Sequence, residues 1–207
     1  MALIYIHGFN SSPASLKAKQ TADWFSVNAP DIPYICPALS NKPDLAIEQL
    51  NTLVESTIES SPGPVGLIGS SMGGYYATWL GEKYGLKAVL VNPAVRPYEF
   101  MLGYLGENTN YHTGERYILE PHHVDVAKSL KVGTLKNSKN YWVLLQTGDD
   151  VLDYRQAETL YANCDLTIEK GGDHSFQHFE RHLPAIMDFL QLSPKLAPEL
   201  APKLSLK

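Results

Sequence analysis

Apolar residues fall in short, nearly unbroken runs at 2–6 (ALIYI), 32–36 (IPYIC), 64–69 (PVGLIG), 87–92 (KAVLVN), 141–146 (YWVLLQ) and 165–169 (DLTIE). Continuous rather than alternating apolar character is the pattern of strands covered on both faces, so these runs predict a parallel sheet between helical layers. Between them lie helix-like segments at 15–26, 43–60, 72–84, 154–163 and 177–191. In 43–60, Pro43 and Asp44 supply a helix start, and Leu45, Ile47, Leu50, Leu53, Val54 and Ile58 mostly share one face. The alternation of strand and helix predicts an α/β domain wound on both sides of one sheet.

Residues 93–139 break this rhythm. The interval is too long for a plain crossover and holds Tyr98, Phe100, Tyr104, Tyr111 and Tyr117 among Gly, Asn and His. Its aromatic content favours a packed cap inserted into a single domain over 1–192. Residues 193–207 carry three prolines with alternating Leu and Lys, which reads as a tail without chemistry.

Composition narrows the partners. A chain of 207 residues with 44% apolar and 19% charged residues suits one globular domain. The net charge of −5 provides no basic field for nucleic acid. No apolar run approaches the roughly 20 residues of a membrane span. The opening MALIYIHGFN lacks the basic segment of a signal peptide, so a cytoplasmic location is expected. Cys36 and Cys164 show no CxxC spacing and are expected to be reduced and buried.

The candidate chemistry begins where the run at 64–69 meets Gly69-Ser70-Ser71-Met72-Gly73-Gly74. This fits G-x-S-x-G with Ser71 at its centre. A serine on a sharp strand-to-helix turn lifts its hydroxyl clear of the sheet. The residues two before and two after then crowd each other and must lack bulk, which Gly69 and Gly73 satisfy. No G-K-[ST] follows, so a Walker-type phosphate loop is excluded. A nucleophilic serine needs a base and an orienting acid, in the chain order Ser, acid, His. The loop after the fifth run offers Asp149, Asp150 and Asp153, and the Gly-rich loop after the sixth offers His174. The backbone N–H groups of Phe9, after the first run, and Met72, at a helix start, are candidates for a two-donor oxyanion hole. His7 is read as a brace for that turn. His174, His178 and His182 recur at i, i+4 and i+8, but no H-E-x-x-H accompanies them, and His112, His122 and His123 lie in the insertion. No metal is expected.

Taken together, IYIHGFNSSP, GLIGSSMGGYYATWL, NPAVRP, LLQTGDDVLDYRQA and GGDHSF resemble the α/β-hydrolase superfamily, most closely the short bacterial YqiA-type esterases. The resemblance runs from Met1 to about Leu192. It implies a three-layer α/β-hydrolase fold with a minimal six-stranded parallel sheet in the order 2-1-3-4-5-6. Cys36 and Cys164 would then lie on opposite edges. It also implies a Ser-Asp-His triad of Ser71, Asp149 and His174, with Asp150 adjacent as the alternative acid and Asp153 capping the next helix. The expected activity is hydrolysis of a small carboxylic ester without a cofactor, through an acyl-enzyme. Tyr98, Phe100 and Tyr104 are expected to shape the pocket, and Arg96 either to meet a charged group there or, by the simpler reading, to form a cap-to-core ion pair. Thioester hydrolysis and acyl transfer use the same parts, and a non-catalytic binding protein on the same fold is the alternative of a different class. The oligomeric state is not legible.

Overall fold

The computed structural model describes residues 1–193, so the expected tail lies outside the described residues beyond Ser193. The first strand, β1 (Ala2–Ile6), leads into α1 (Leu16–Asn28). There follow β2 (Tyr34–Ile35), α2 (Pro43–Ser60), β3 (Val65–Ser70), α3 (Met72–Tyr84) and β4 (Lys87–Val91). The insertion contains α4 (Pro97–Met101), β5 (Gly106–Thr109), β6 (Arg116–Leu119) and α5 (Pro121–Ser129). The chain continues through β7 (Tyr141–Gln146), α6 (Tyr154–Leu160), β8 (Asp165–Glu169) and α7 (Leu183–Phe189).

Six strands form one sheet in the order β2-β1-β3-β4-β7-β8, and every neighbouring pair is parallel. Counting only these strands along the chain, the order is 2-1-3-4-5-6. The chain reverses its direction of winding between β1 and β3, which opens a crevice at their C-terminal ends. The sheet is buried on both faces. On one side Ala2, Ile4 and Ile6 pack with Ala46, Leu50 and Val54 of α2 and with Tyr76 and Leu80 of α3. On the other, Leu3 and Tyr5 pack with Ala18 and Phe25 of α1 and with Leu183, Ile186 and Met187 of α7. The two-residue alternation of strand side chains thus feeds two separate apolar layers.

The insertion is packed onto the sheet domain. Its β5 and β6 form an antiparallel hairpin, and Met101, Tyr117, Leu119, Ala127 and Leu130 are buried in the same apolar layer as α2 and α3. Polar contacts fix its outer end. Asn110 Nδ2 donates to Ser11 O at 3.1 Å and to Asn41 Oδ1 at 2.9 Å, while Tyr117 Oη donates to Asn10 Oδ1 at 2.6 Å.

Several elements differ from their sequence expectation. The edge strand β2 keeps only two residues, because Pro33 and Pro37 flank it and proline cannot donate to a ladder. The expected helix over 177–191 narrows to α7, preceded by a 3-10 turn at Phe179–His182. Pro184 explains this: inside a longer helix its ring would clash with the preceding turn, whereas in the first turn it is tolerated. Both cysteines are free and half-buried rather than buried, and their thiols are pushed up to about 11 by desolvation. Among the described residues no helix is long and apolar enough to cross a membrane.

Candidate active site

Ser71 joins β3 to α3 at φ 56° and ψ −122°, a conformation that L-residues rarely adopt. Its N–H donates to Val91 O at 3.0 Å, and its carbonyl accepts from Gly74 N at 2.9 Å and Ala94 N at 3.0 Å. These bonds from β4, the loop after it and the first turn of α3 hold the turn in its strained form. The flanking glycines are sterically required. A Cβ on Gly69 would lie 2.4 Å from Gly73 O, and one on Gly73 would lie 2.0 Å from Ile6 O. Both clashes are with backbone, so the turn has no room to yield.

The hydroxyl faces His174. His174 Nε2 lies 3.0 Å from Ser71 Oγ, and Nδ1 lies 2.8 Å from Asp149 Oδ2 and 3.0 Å from Oδ1. A carboxylate can only accept, so it fixes the proton on Nδ1 and leaves Nε2 free to accept from the serine hydroxyl. The Asp149 side chain is 1% exposed. Burial pushes its carboxyl up, but hydrogen bonds from His174 and from the N–H groups of Leu152 and Val151 outweigh this and hold it below its ordinary value. The neighbouring Asp150 is exposed and Asp153 caps α6, its carboxylate accepting from Arg155 N at 3.1 Å. Of the three candidate acids, the fold therefore brings Asp149 to the histidine.

Two residues that the sequence reading missed hold the histidine loop. Asn92 directly follows β4 with φ 40°; its Nδ2 donates to Asp173 O at 3.0 Å and His174 O at 3.3 Å, and its Oδ1 accepts from Gln146 N at 3.0 Å. Gln146 ends β7; its Oε1 accepts from Asp173 N at 3.2 Å and Gln177 N at 2.8 Å. Both are buried polar residues closing otherwise apolar strands, the one sequence signal that sets them apart. Asn92→Ala is expected to lower the free energy of unfolding by about 1–3 kcal/mol, read from the urea midpoint, because it strands the buried Gln146 N–H.

On the other side of Ser71 lies the turn after β1. A Cβ on Gly8 would approach Ser71 Cβ to 3.2 Å, so the chain passes as close as a side-chain-free residue permits. Met72 opens α3, and its N–H has no acceptor within the helix. The Phe9 N–H makes no backbone hydrogen bond among the described residues. His7 is buried, with Nδ1 2.9 Å from Gly8 O and Nε2 accepting from Leu39 N at 3.2 Å, so both ring nitrogens brace this turn.

A cavity of about 300 Å³ opens beside Ser71 and His174, lined also by Phe9, Ser15, Lys17, His112 and Ser175. Tyr98, Phe100 and Tyr104 do not line it. Phe100 and Tyr104 pack around the Phe9 ring, at 6.3 and 5.4 Å between centroids. Phe100 and Arg96 instead border a separate cavity of about 160 Å³ with Val151 and Leu152. Arg96 pairs with Glu99 at 3.5 Å within the insertion, not across to the core as expected.

The remaining histidines disperse. His178 is exposed at φ 61°, and His182 is partly buried beside Glu169 at 3.1 Å. Asp44, His122 and His123 place donor atoms within 4.8 Å of one another. However, His123 Nδ1 accepts from Glu120 N at 2.8 Å. The neutral ring must then carry its proton on Nε2, the nitrogen 3.6 Å from Asp44 Oδ1, so that atom has no lone pair for a cation.

The fold and the family are shown by comparison with known proteins. A putative hydrolase from Agrobacterium vitis S4 superposes with TM-score 0.68 at 17% identity, over 89% of this chain and 87% of that one. Est1E from Butyrivibrio proteoclasticus gives TM-score 0.67 at 15% identity, over 92% and 87%. A UPF0227 protein of Shewanella sp. (strain MR-7) is 27% identical over 190 residues, covering 90% of this chain and 98% of that protein. The model of the uncharacterised protein family UPF0227 matches residues 2–191. With the crevice, the strained serine turn and this match over almost all described residues, the chain belongs to UPF0227, on an α/β-hydrolase fold.

Proposed function

We propose that this protein is a serine hydrolase of small carboxylic esters or thioesters. The observation that carries the reading is the continuous line Ser71 Oγ, His174 Nε2, His174 Nδ1, Asp149 Oδ2, with contacts of 3.0 and 2.8 Å at its two joints. Ser71 attacks the acyl carbonyl as His174 takes its proton. Asp149 holds the imidazole tautomer and stabilises the imidazolium. The Phe9 and Met72 N–H groups receive the oxyanion, each such donor contributing about 2.7–4 kcal/mol to the transition state. His174 then protonates the leaving group. Water, deprotonated by the same histidine, releases the acid and restores Ser71. The neighbouring Est1E and the putative hydrolase support the class of reaction by fold alone.

A fluorophosphonate probe tests the reading directly. Stoichiometric labelling at Ser71, with turnover of short acyl esters or acyl thioesters, is the expected result. An unlabelled protein inert toward both panels overturns it in favour of a binding role on the same fold. The ratio of ester to thioester turnover in those panels separates the two substrate types.

A further inference from the structure

The cavity beside Ser71 contains a charge that the proposed reaction does not use. Lys17, in the first turn of α1, is only 9% exposed. Its Nζ donates to Ser175 O at 2.7 Å, and no carboxylate among the described residues comes within ion-pairing distance of it. Burying an ammonium costs several kcal/mol unless it is paired. A brace to a single backbone carbonyl needs no charge, because a neutral amide or hydroxyl donor makes that bond without the desolvation cost.

The surroundings favour an anion at this point. Ser15, the residue before α1, makes no side-chain cap, and Ser15, Leu16 and Lys17 at the start of this 13-residue helix all line the cavity, where the positive end of the helix dipole favours negative charge. His112 of the insertion contributes to the same lining. Asp173 and, less strongly, Asp149 act on Lys17 from beyond contact; Asp149 is already paired with His174, whereas Asp173 keeps one buried carboxylate oxygen without a hydrogen-bond partner among the described residues and offsets part of the Lys17 charge. Burial lowers the Lys17 ammonium to about 8, so most of it stays charged at neutral pH.

We propose that this cavity admits substrates bearing an anionic group on the acyl or leaving side, held by the Lys17 ammonium with the first turn of α1. The inference rests on the hydrolase reading and names the substrate class for that site. Lys17 bonds the carbonyl of Ser175, one residue from His174, so an anion on Lys17 would sit close to the reacting hydroxyl. A volume near 300 Å³ matches a small acid rather than a long lipid chain.

Two matched ester pairs test it. Mono-4-nitrophenyl glutarate against 4-nitrophenyl 4-carbamoylbutanoate places the charge on the acyl side. The 4-acetoxybenzoate anion against 4-acetoxybenzamide places it on the leaving side. After subtraction of uncatalysed hydrolysis, the charged member of at least one pair is expected to have about 10–100-fold higher kcat/KM, the range of one charge-assisted hydrogen bond. Lys17→Gln keeps a donor for Ser175 O and is expected to remove that preference, whereas Lys17→Arg retains most of it. Thermal midpoints and probe labelling of both variants report whether the site is still folded. Fluorophosphonate labelling of the wild type without discrimination in either pair overturns the inference and leaves the hydrolase reading standing. Equal loss for charged and neutral esters in Lys17→Gln overturns it in favour of a structural brace. A protein neither labelled nor active toward any of the four esters overturns both.

Discussion

Ser71→Ala is expected to reduce ester turnover by about 10⁶-fold and to eliminate fluorophosphonate labelling. The size of the effect follows from the reaction path: without the hydroxyl there is no acyl-enzyme, and what persists is the modest rate from oxyanion donors and binding. The change should leave the fold intact. Alanine keeps the Cβ that makes φ 56° unfavourable, so the strain of the turn is neither relieved nor increased, and the carbonyl and N–H bonds to Val91, Gly74 and Ala94 are untouched. A urea midpoint near the wild type with activity gone would locate the effect in chemistry. Persistent labelling would place the nucleophile elsewhere.

The second large effect separates two adjacent acids. Asp149→Asn is expected to lower kcat about 10⁴-fold, because an amide can donate to Nδ1 and so favours the tautomer with its proton on Nε2, facing Ser71. Asp150→Asn is expected to stay close to wild-type kcat, since Asp150 is exposed and the bonds to His174 come from Asp149. Steady-state kinetics on one short ester reads both. A crippled Asp150→Asn beside an active Asp149→Asn would show that the loop rearranges when substrate binds.

Much of this architecture was legible because burial on both faces writes strands as unbroken apolar runs. Helices α2 and α3 begin and end where the pattern places them, at 43–60 and 72–84. The hairpin β5–β6 was not legible: its strands are four residues each, GENT is polar, and RYIL alternates exposed and buried. The last helix was over-read because apolar spacing continues past Pro184 in both directions, whereas the proline ring limits where the helix starts. The serine turn was legible for a steric reason, since only glycine fits at 69 and 73. The pocket was not. Aromatic residues in the insertion look like a substrate wall, yet Phe100 and Tyr104 are engaged with Phe9. Lys17 carries no signal in the sequence, because a sequence does not reveal that Ser175 comes to lie against it.

One consequence lies in where the three groups are anchored. Ser71 extends from β3, which is gripped by β1 and β4, whereas His174 follows β8, which among the described residues is an outermost strand with a single neighbour and partly exposed side chains. Local openings begin at such margins, at a fraction of the cost of global melting. Mild denaturant or heat can therefore fray β8 and slacken the loop that Asn92 and Gln146 hold while the centre of the sheet endures, so this protein would fall silent before it unfolds.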